Sequence, residues 1–167
     1  MTHPLVDQLH FARSEFLRLL EGLTPEDGIR RLGPTNSISW MIGHLAYQEE
    51  TYWVTIPQAR TIHEALAELV GYGRPASTPP LAEMLAAWRA ITAAADGFLL
   101  TLTDEKLSER HHWRGREMPE TVGTMLLRNI YHYWFHIGEA HAVRQQLGHE
   151  ELPQFVGRFG DAAYRSG

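Results

Sequence analysis

Residues 122–147, with the sequence VGTMLLRNIYHYWFHIGEAHAVRQQL, combine a helical repeat with an unusual row of polar residues. Residues three and four positions apart point to the same side of an α-helix, so this spacing predicts one long amphipathic helix. We expect it to begin near residues 119–121 and to reach Leu147, where Gly148 supplies a stop. Its inward stripe is apolar at both ends and polar in the middle, and it consists of Val122, Met125, Leu126, Asn129, His132, Tyr133, His136, Glu139, Ala140, Val143 and Leu147.

Three further segments carry the same repeat, and the four together predict an all-α domain. These segments are residues 5–23, residues 36–56 with a cap at Asn36 or Ser37, and residues 77–102 with a cap at Ser77 or Thr78. A four-helix bundle is the simplest arrangement, with a long crossover between helices 2 and 3. We interpret residues 1–167 as one domain. The polar connection before the last helix, residues 103–120, predicts a hairpin or an extended loop.

Composition excludes several classes of function. The chain has 167 residues and no cysteine, which excludes a disulfide framework, a thiol nucleophile and a cysteine-ligated metal site. Its formal net charge of −5 gives no electrostatic reason to bind nucleic acid. No run approaches the roughly 18 apolar residues of a membrane helix, and the first 20 residues do not read as a secretory signal. We therefore expect a cytoplasmic protein without a nucleic-acid or membrane partner.

The polar middle of the last helix predicts a metal site. Burying polar side chains costs free energy unless they find partners. His132 and His136 lie one helical turn apart and can hold the same ion. A third ligand should come from a neighbouring helix, and His44 lies on the inward face of helix 2, after a glycine that would let another helix approach. Three neutral imidazoles leave coordination positions open, which is typical of catalytic metal sites.

From the pattern alone, a simpler interpretation of each histidine stays open. A histidine on an apolar helix face is more often packed in the core, or bonded to a backbone carbonyl, than bound to a metal. We interpret the other histidines in this way, with His111 and His112 solvated and His149 exposed. His141 faces about 140° away from His136 and cannot share its ligand sphere. Phosphate-binding glycine loops, nucleophile elbows and HExxH motifs are missing from the sequence.

Two motifs together resemble the DinB-like (DinB/YfiT) superfamily. They are NSISWMIGHLAYQEETYW, residues 36–53, and HYWFHIGEAHAVRQQLG, residues 132–148. The resemblance spans roughly residues 5–155 and implies a four-helix bundle with one histidine on helix 2 and an HxxxH pair on the last long helix. It maps His44, His132 and His136 onto the metal triad of that superfamily. The divalent metal that it implies is zinc or nickel first, with iron or manganese as alternatives.

The resemblance also implies an activity, because relatives in that superfamily use low-molecular-weight thiols. We expect a metal-dependent thiol S-transferase that acts on small electrophiles, with a metal-bound thiolate as the reactive species. Tyr47, Gln48, Asn129 and Glu139 are candidates for contacts to the substrate or to the ligand imidazoles. The alternatives are a hydrolase that uses metal-bound water, and a non-catalytic stress protein that binds a metal or small ligand. The resemblance is also compatible with a homodimer.

Overall fold

Four long helices form the framework of the structure, a computed structural model that describes residues 2–154 and 156–165. In chain order the elements are α1 (Pro4–Leu20), α2 (Pro25–Ile29), α3 (Ile38–Glu49), a π-helical segment (Glu50–Thr55), α4 (Ile56–Gln58), α5 (Leu66–Val70), α6 (Leu81–Leu99), α7 (Asp104–Ser108), β1 (Arg110–Trp113), β2 (Arg116–Thr121), α8 (Val122–Gln146) and a 3₁₀ turn (Gly160–Ala162). The all-α prediction is confirmed, and the long helices are α1, α3, α6 and α8. Within the described residues, every helix is too short or too polar to cross a lipid bilayer.

Three of the four long helices begin at a residue whose side chain accepts one of the first free backbone N–H groups. Nδ1 of His3 accepts from the N–H of Leu5 at 3.1 Å, which starts α1. The hydroxyl of Ser37 accepts from the N–H of Trp40 at 3.2 Å, which starts α3. The hydroxyl of Thr121 accepts from the N–H of Thr124 at 3.2 Å, which starts α8. The predicted stop of α8 is also present, since Gly148 takes a φ of 86°, which residues with a Cβ rarely adopt.

The predicted start of the third long helix is wrong. Neither Ser77 nor Thr78 caps α6, because the residue at the cap position is Pro80 and no side chain bonds there. A residue that precedes a proline avoids the α conformation. The pair Pro79 and Pro80 therefore keeps the chain extended until Leu81, where the helix can begin.

The long helices pack side by side, and α3 contacts α6 and α8 while α1 contacts α8. A glycine on α3 allows one unusually close approach. A Cβ atom at Gly43 would lie 2.5 Å from Sδ of Met84 on α6 and 3.2 Å from Cγ1 of Val70 on α5. The short crossover helix α5 therefore reaches the surface of α3 directly beside His44, as the position of the glycine predicts.

A buried ionic network links α1 to α3, α6 and α8. Arg13 donates from Nε to Oε1 of Glu49 at 2.8 Å and from Nη1 to Oδ1 of Asp96 at 2.6 Å. The hydroxyl of Tyr133 also donates to Oε1 of Glu49, at 2.6 Å, and accepts from the indole of Trp88 at 2.7 Å. Glu49 is fully buried, so these bonds compensate its charge. They also fix the rotation of α3 relative to α8. This rotation matters for the site described below, since Glu49 and Tyr133 each adjoin one of its residues.

The helix that begins as α3 does not run to Ile56 as one continuous α-helix. It changes into the π-helical segment, a form that is frequent at functional sites. Pro57 has no N–H, so the carbonyl of Trp53 lacks its usual helical donor. The side-chain amide of Gln58 replaces that donor at 2.7 Å. Glu50 is the first residue of this segment, and its Oε1 accepts the backbone N–H of residue 63 in the crossover at 2.8 Å.

The connection between α7 and α8 contains an antiparallel hairpin, one of the two forms predicted for it. Trp113 and Arg116 are paired across the strands, which leaves a turn of two residues. These are Arg114 and Gly115, with φ angles of 51° and 75°. Two successive positive φ angles match the type I′ turn that is common in two-residue hairpins.

Candidate metal centre

The three histidines predicted as ligands lie together between α3 and α8. A nitrogen atom from each of His44, His132 and His136 lies within 4.8 Å of the corresponding atoms of the other two. The pair on α8 is closest, with 3.0 Å between the two Nε2 atoms. The ring of His44 faces both, with centroids 5.0 Å from His132 and 5.6 Å from His136. The two distant motifs of the sequence therefore form one cluster.

His44 is oriented by the close approach of α5. Its Nδ1 lies 2.6 Å from the carbonyl oxygen of Val70. A carbonyl oxygen can only accept, so Nδ1 carries the proton and Nε2 keeps its lone pair. The indole of Trp40, one turn earlier on α3, stacks on the imidazole with a centroid distance of 4.4 Å. The ring is therefore fixed on one face by an aromatic residue and on one edge by the backbone.

His132 is oriented through a chain of three polar side chains. The indole N–H of Trp53 can only donate, and it bonds Oδ1 of Asn129 at 2.7 Å. The amide of Asn129 must then present Nδ2 to Oε1 of Gln48, at 2.9 Å. The same oxygen lies 2.8 Å from Nδ1 of His132 and accepts a hydrogen bond from its N–H. The lone pair of His132 is therefore on Nε2. The chain of hydrogen bonds that orients this ring starts at Trp53, which lies outside the cluster.

His136 is oriented by a carboxylate on its own helix. Its Nδ1 lies 2.8 Å from Oε2 of Glu139, three residues later. An ionised carboxylate only accepts, so this imidazole also carries its proton on Nδ1. The side chain of His136 is almost fully buried, whereas that of Glu139 is about one-quarter exposed (23%). The carboxylate therefore supplies negative charge at the rim of the cluster without a large cost of burial.

The arrangement fits a divalent metal ion. All three Nδ1 atoms are engaged by acceptors, so three Nε2 lone pairs are left to face a common space. Two lone pairs 3.0 Å apart repel each other unless a cation lies between them. Burial, with His136 and His44 nearby, lowers the pKa of His132 to about 3, which keeps a proton off this ring at neutral pH. Neutral imidazoles oriented by acceptors on Nδ1 are the usual state of metal ligands.

Two depressions flank the cluster, and both include Gln48 and His132 in their walls. The one beside His44 has a volume of about 290 Å³ and is lined by His44, Tyr47, Gln48, Thr51, Tyr52, Tyr72 and His132. The other has a volume of about 590 Å³ and lies along α8, where Tyr131 and Phe135 are exposed. A small molecule in the first depression would meet two of the three histidines directly.

The four candidate contact residues take different places. Gln48 and Glu139 bond imidazoles of the cluster, and Asn129 contacts His132 through Gln48. Tyr47 bonds none of the histidines and instead lines the depression beside His44. The carbonyl of Val70 was not predicted from the sequence, because every residue type has a backbone carbonyl and the residue identity therefore does not indicate an acceptor.

Two tryptophans were also not predicted from the sequence. Trp40 lies four residues before His44 and so on the same helical face, which is a signal that the spacing offered. Trp53 gave no such signal, since its contact to Asn129 crosses from the π-helical segment to α8.

The histidines outside the cluster are mostly engaged elsewhere. His141 bonds the carbonyl of Pro153 at 2.9 Å, away from the cluster as predicted. The predictions for two others are wrong. His149 bonds Arg144 at 2.8 Å and is only partly exposed. His111 packs against Phe98, and its buried Nε2 has no partner among the described residues.

A comparison with protein families identifies the chain independently of this geometry. A family model described as the DinB superfamily matches residues 8–140. A search of the curated proteins returned no match. The matched region covers well over half of the chain and contains all three clustered histidines, so the chain belongs to the DinB superfamily.

Proposed function

We propose that this member of the DinB superfamily is a divalent-metal-dependent enzyme that transfers a low-molecular-weight thiol to small electrophiles. The proposal is carried by one observation, the convergence of three Nε2 lone pairs whose Nδ1 atoms are all bonded to acceptors. Three protein ligands leave room for a further ligand on a metal, which distinguishes catalytic from structural sites. The metal would be zinc or nickel first, then iron or manganese.

The residues of this chain prepare the site for a thiol. A divalent ion held by His44, His132 and His136 would bind a sulfur atom and favour the thiolate at neutral pH. The carbonyl of Val70 and the side chains of Gln48 and Glu139 hold the imidazoles in the binding tautomer, so little reorganisation is required. Burial lowers the pKa of His44 and of His132, so protons do not compete for these nitrogens at pH 7.

The depression beside His44 is the proposed binding site for the substrate. Tyr47, Thr51 and Tyr52 line it, and each carries a hydroxyl group that a substrate could bind. The thiolate sulfur would attack the electrophilic carbon of a second small molecule, with formation of a carbon–sulfur bond and departure of the leaving group with its electrons. The ring of Trp40 covers His44 and restricts the approach of water from that side.

The experiment that tests this function has two steps. Metal content is measured by plasma mass spectrometry on tag-free protein, for the wild type and for His44→Ala and His132→Ala. We expect a near-stoichiometric divalent metal in the wild type and its loss in both variants. His141→Ala is the matched control, since His141 lies on the same helix as His132 but bonds a distant carbonyl.

The metal-loaded protein is then assayed for conjugation of thiols to electrophilic aryl halides. Thiol-dependent turnover that disappears in His132→Ala supports the proposal. Hydrolysis without thiol would favour the hydrolase. Stoichiometric metal with no turnover of either kind would leave a metal-binding protein. Wild-type protein that retains no metal after supplementation would refute the site itself.

A homodimer remains a prediction alongside this function. Tyr131 and Phe135 expose 64% and 67% of their surface one turn apart on α8, beside the larger depression. Sedimentation at several protein concentrations would establish the oligomeric state.

A further inference from the structure

A second cavity adjoins the depression beside His44. It has a volume of about 470 Å³ and lies between the π-helical segment, the crossover and the hairpin turn. Tyr47 and Thr51, one helical turn apart, line both spaces, so the two are neighbours along one side of the helix. None of the candidate site residues from the sequence except Tyr47 lies in this second cavity.

The hairpin places a positive charge at one wall of the cavity. Arg114 forms no ion pair with any described residue, and its guanidinium lies 5.5 Å from the ring centre of Trp113. Its φ of 51° is costly for an L-residue, and type I′ turns favour asparagine or glycine at this position. Backbone strain retained next to a cavity suggests that the side chain has a function there.

Other residues of the cavity wall supply acids and an unsatisfied imidazole. Glu50 is almost fully buried, and its Oε1 accepts the backbone N–H groups of Ile62 and His63. No described residue bonds its second oxygen, Oε2, and Glu50 is one of the residues that line the cavity. The buried Nδ1 of His63 has no partner among the described residues. Glu64 adds an exposed carboxylate at the rim. The cavity therefore offers separated positive and negative groups together with free polar atoms.

We propose that this cavity binds the zwitterionic end of a small molecule, with a carboxylate against Arg114 and an ammonium group against Glu64 and Glu50. A guanidinium binds a carboxylate through two parallel hydrogen bonds, and a planar face on Trp113 holds it in place. The volume suits an amino-acid-sized group. The proposal deepens the proposed function, because the same molecule would extend its thiol along Tyr47 and Thr51 to the histidines. The cavity itself depends on no metal.

The test uses metal-free protein and S-methylglutathione, which has ammonium and carboxylate groups but no free thiol. Binding is followed by NMR of the tryptophan indole groups, with Trp113 as the reporter and buried Trp88 as the internal reference. We expect the Trp113 signal to shift with ligand concentration. The diethyl ester of the same peptide, which lacks carboxylates, should bind about tenfold more weakly.

Two variants localise the effect. Arg114→Asn should weaken binding about tenfold and raise the melting temperature by about 2–4 °C, because asparagine tolerates the turn. Arg116→Asn is the matched control on the same hairpin, outside the cavity, and should leave binding unchanged. Glu64→Gln should weaken binding about two- to fivefold, since this carboxylate is exposed.

Each negative result has a definite meaning. Absence of a Trp113 shift up to about 10 mM ligand would overturn the proposal. Equal affinity in Arg114→Asn and the wild type would overturn the carboxylate site, and equal affinity in Glu64→Gln would overturn the ammonium site. Because neither metal nor thiol is present, these outcomes do not depend on the histidine cluster. Loss of metal from the triad variants would likewise not change them.

Discussion

Gln48 provides the sharpest test of how the candidate metal centre is organised. Its Oε1 accepts hydrogen bonds from both Asn129, at 2.9 Å, and His132, at 2.8 Å. Gln48→Leu keeps a similar volume but removes this acceptor. Nδ2 of Asn129 and Nδ1 of His132 then lose their common partner in a largely buried setting.

Two magnitudes follow from that loss. A buried donor without a partner costs about 1–3 kcal/mol, so the metal-free variant should lose about 2–4 kcal/mol of unfolding free energy, because His132 is not completely buried. The imidazole of His132 is also released from its fixed tautomer. Loss of such a contact typically weakens metal binding 10- to 100-fold, about 1.4–2.7 kcal/mol.

Competition with a chelator measures the metal affinity, and urea denaturation of the metal-free protein measures the stability. Gln48→Glu retains the acceptor and should bind metal at least as tightly as the wild type, since a carboxylate orients an imidazole as Glu139 does for His136. Gln145→Leu, at an exposed position of α8, controls for the added leucine. A metal affinity of Gln48→Leu within about twofold of the wild type would refute the proposed relay.

Three further predictions concern packing, protonation and backbone strain. Gly43→Ala forces a Cβ against Met84 and displaces α5, so the unfolding free energy should fall by about 1–3 kcal/mol, and the metal affinity should fall with it. Gly97→Ala is the control, because a Cβ there meets open space. Its unfolding free energy in urea denaturation should rise by about 0.5–1 kcal/mol. The pKa of His132 lies at about 3 in the folded chain and higher in the unfolded chain. The unfolded chain therefore binds one more proton than the folded chain as the pH falls from about 6.5 towards 3. The unfolding free energy of the metal-free protein should fall there by at most about 1.4 kcal/mol per pH unit. Denaturation at several pH values measures this slope, and a similar slope in the His132→Ala variant would contradict the prediction. Ala59 has a φ of 50°, which glycine adopts without strain. Ala59→Gly should therefore raise the unfolding free energy by about 1 kcal/mol, measured by the same denaturation.

The helices and their inward faces could be predicted because they depend on local order. A repeat of three and four residues specifies both a helix and its buried side, and α1, α3, α6 and α8 all follow it. The spacing of His132 and His136 fixes their common direction in the same way. The errors arose where a neighbouring residue overrides the repeat. Pro79 and Pro80 delay α6, and Pro57 removes the backbone donor that the carbonyl of Trp53 would have in a regular α-helix.

The environment of each histidine could not be read in this way, because it depends on contacts between residues far apart in the chain. The acceptor for His44 is a backbone carbonyl 26 residues away. The acceptor for His132 lies 84 residues away and is itself held by Asn129. Such contacts depend on the relative rotation of packed helices, to which the buried network around Glu49 contributes.

The sequence by itself determined the all-α class, the paired histidines on one face of the last helix and the residue on helix 2 that could join them, since each follows from residue spacing along one helix. Only the tertiary structure decided which nitrogen of each imidazole carries a proton, and that the three Nε2 atoms face one another. It alone placed Arg114 and Glu50 around one cavity. The reason is physical: a hydrogen-bond partner is chosen by distance and direction in space, and residue order specifies these only within a single element of secondary structure.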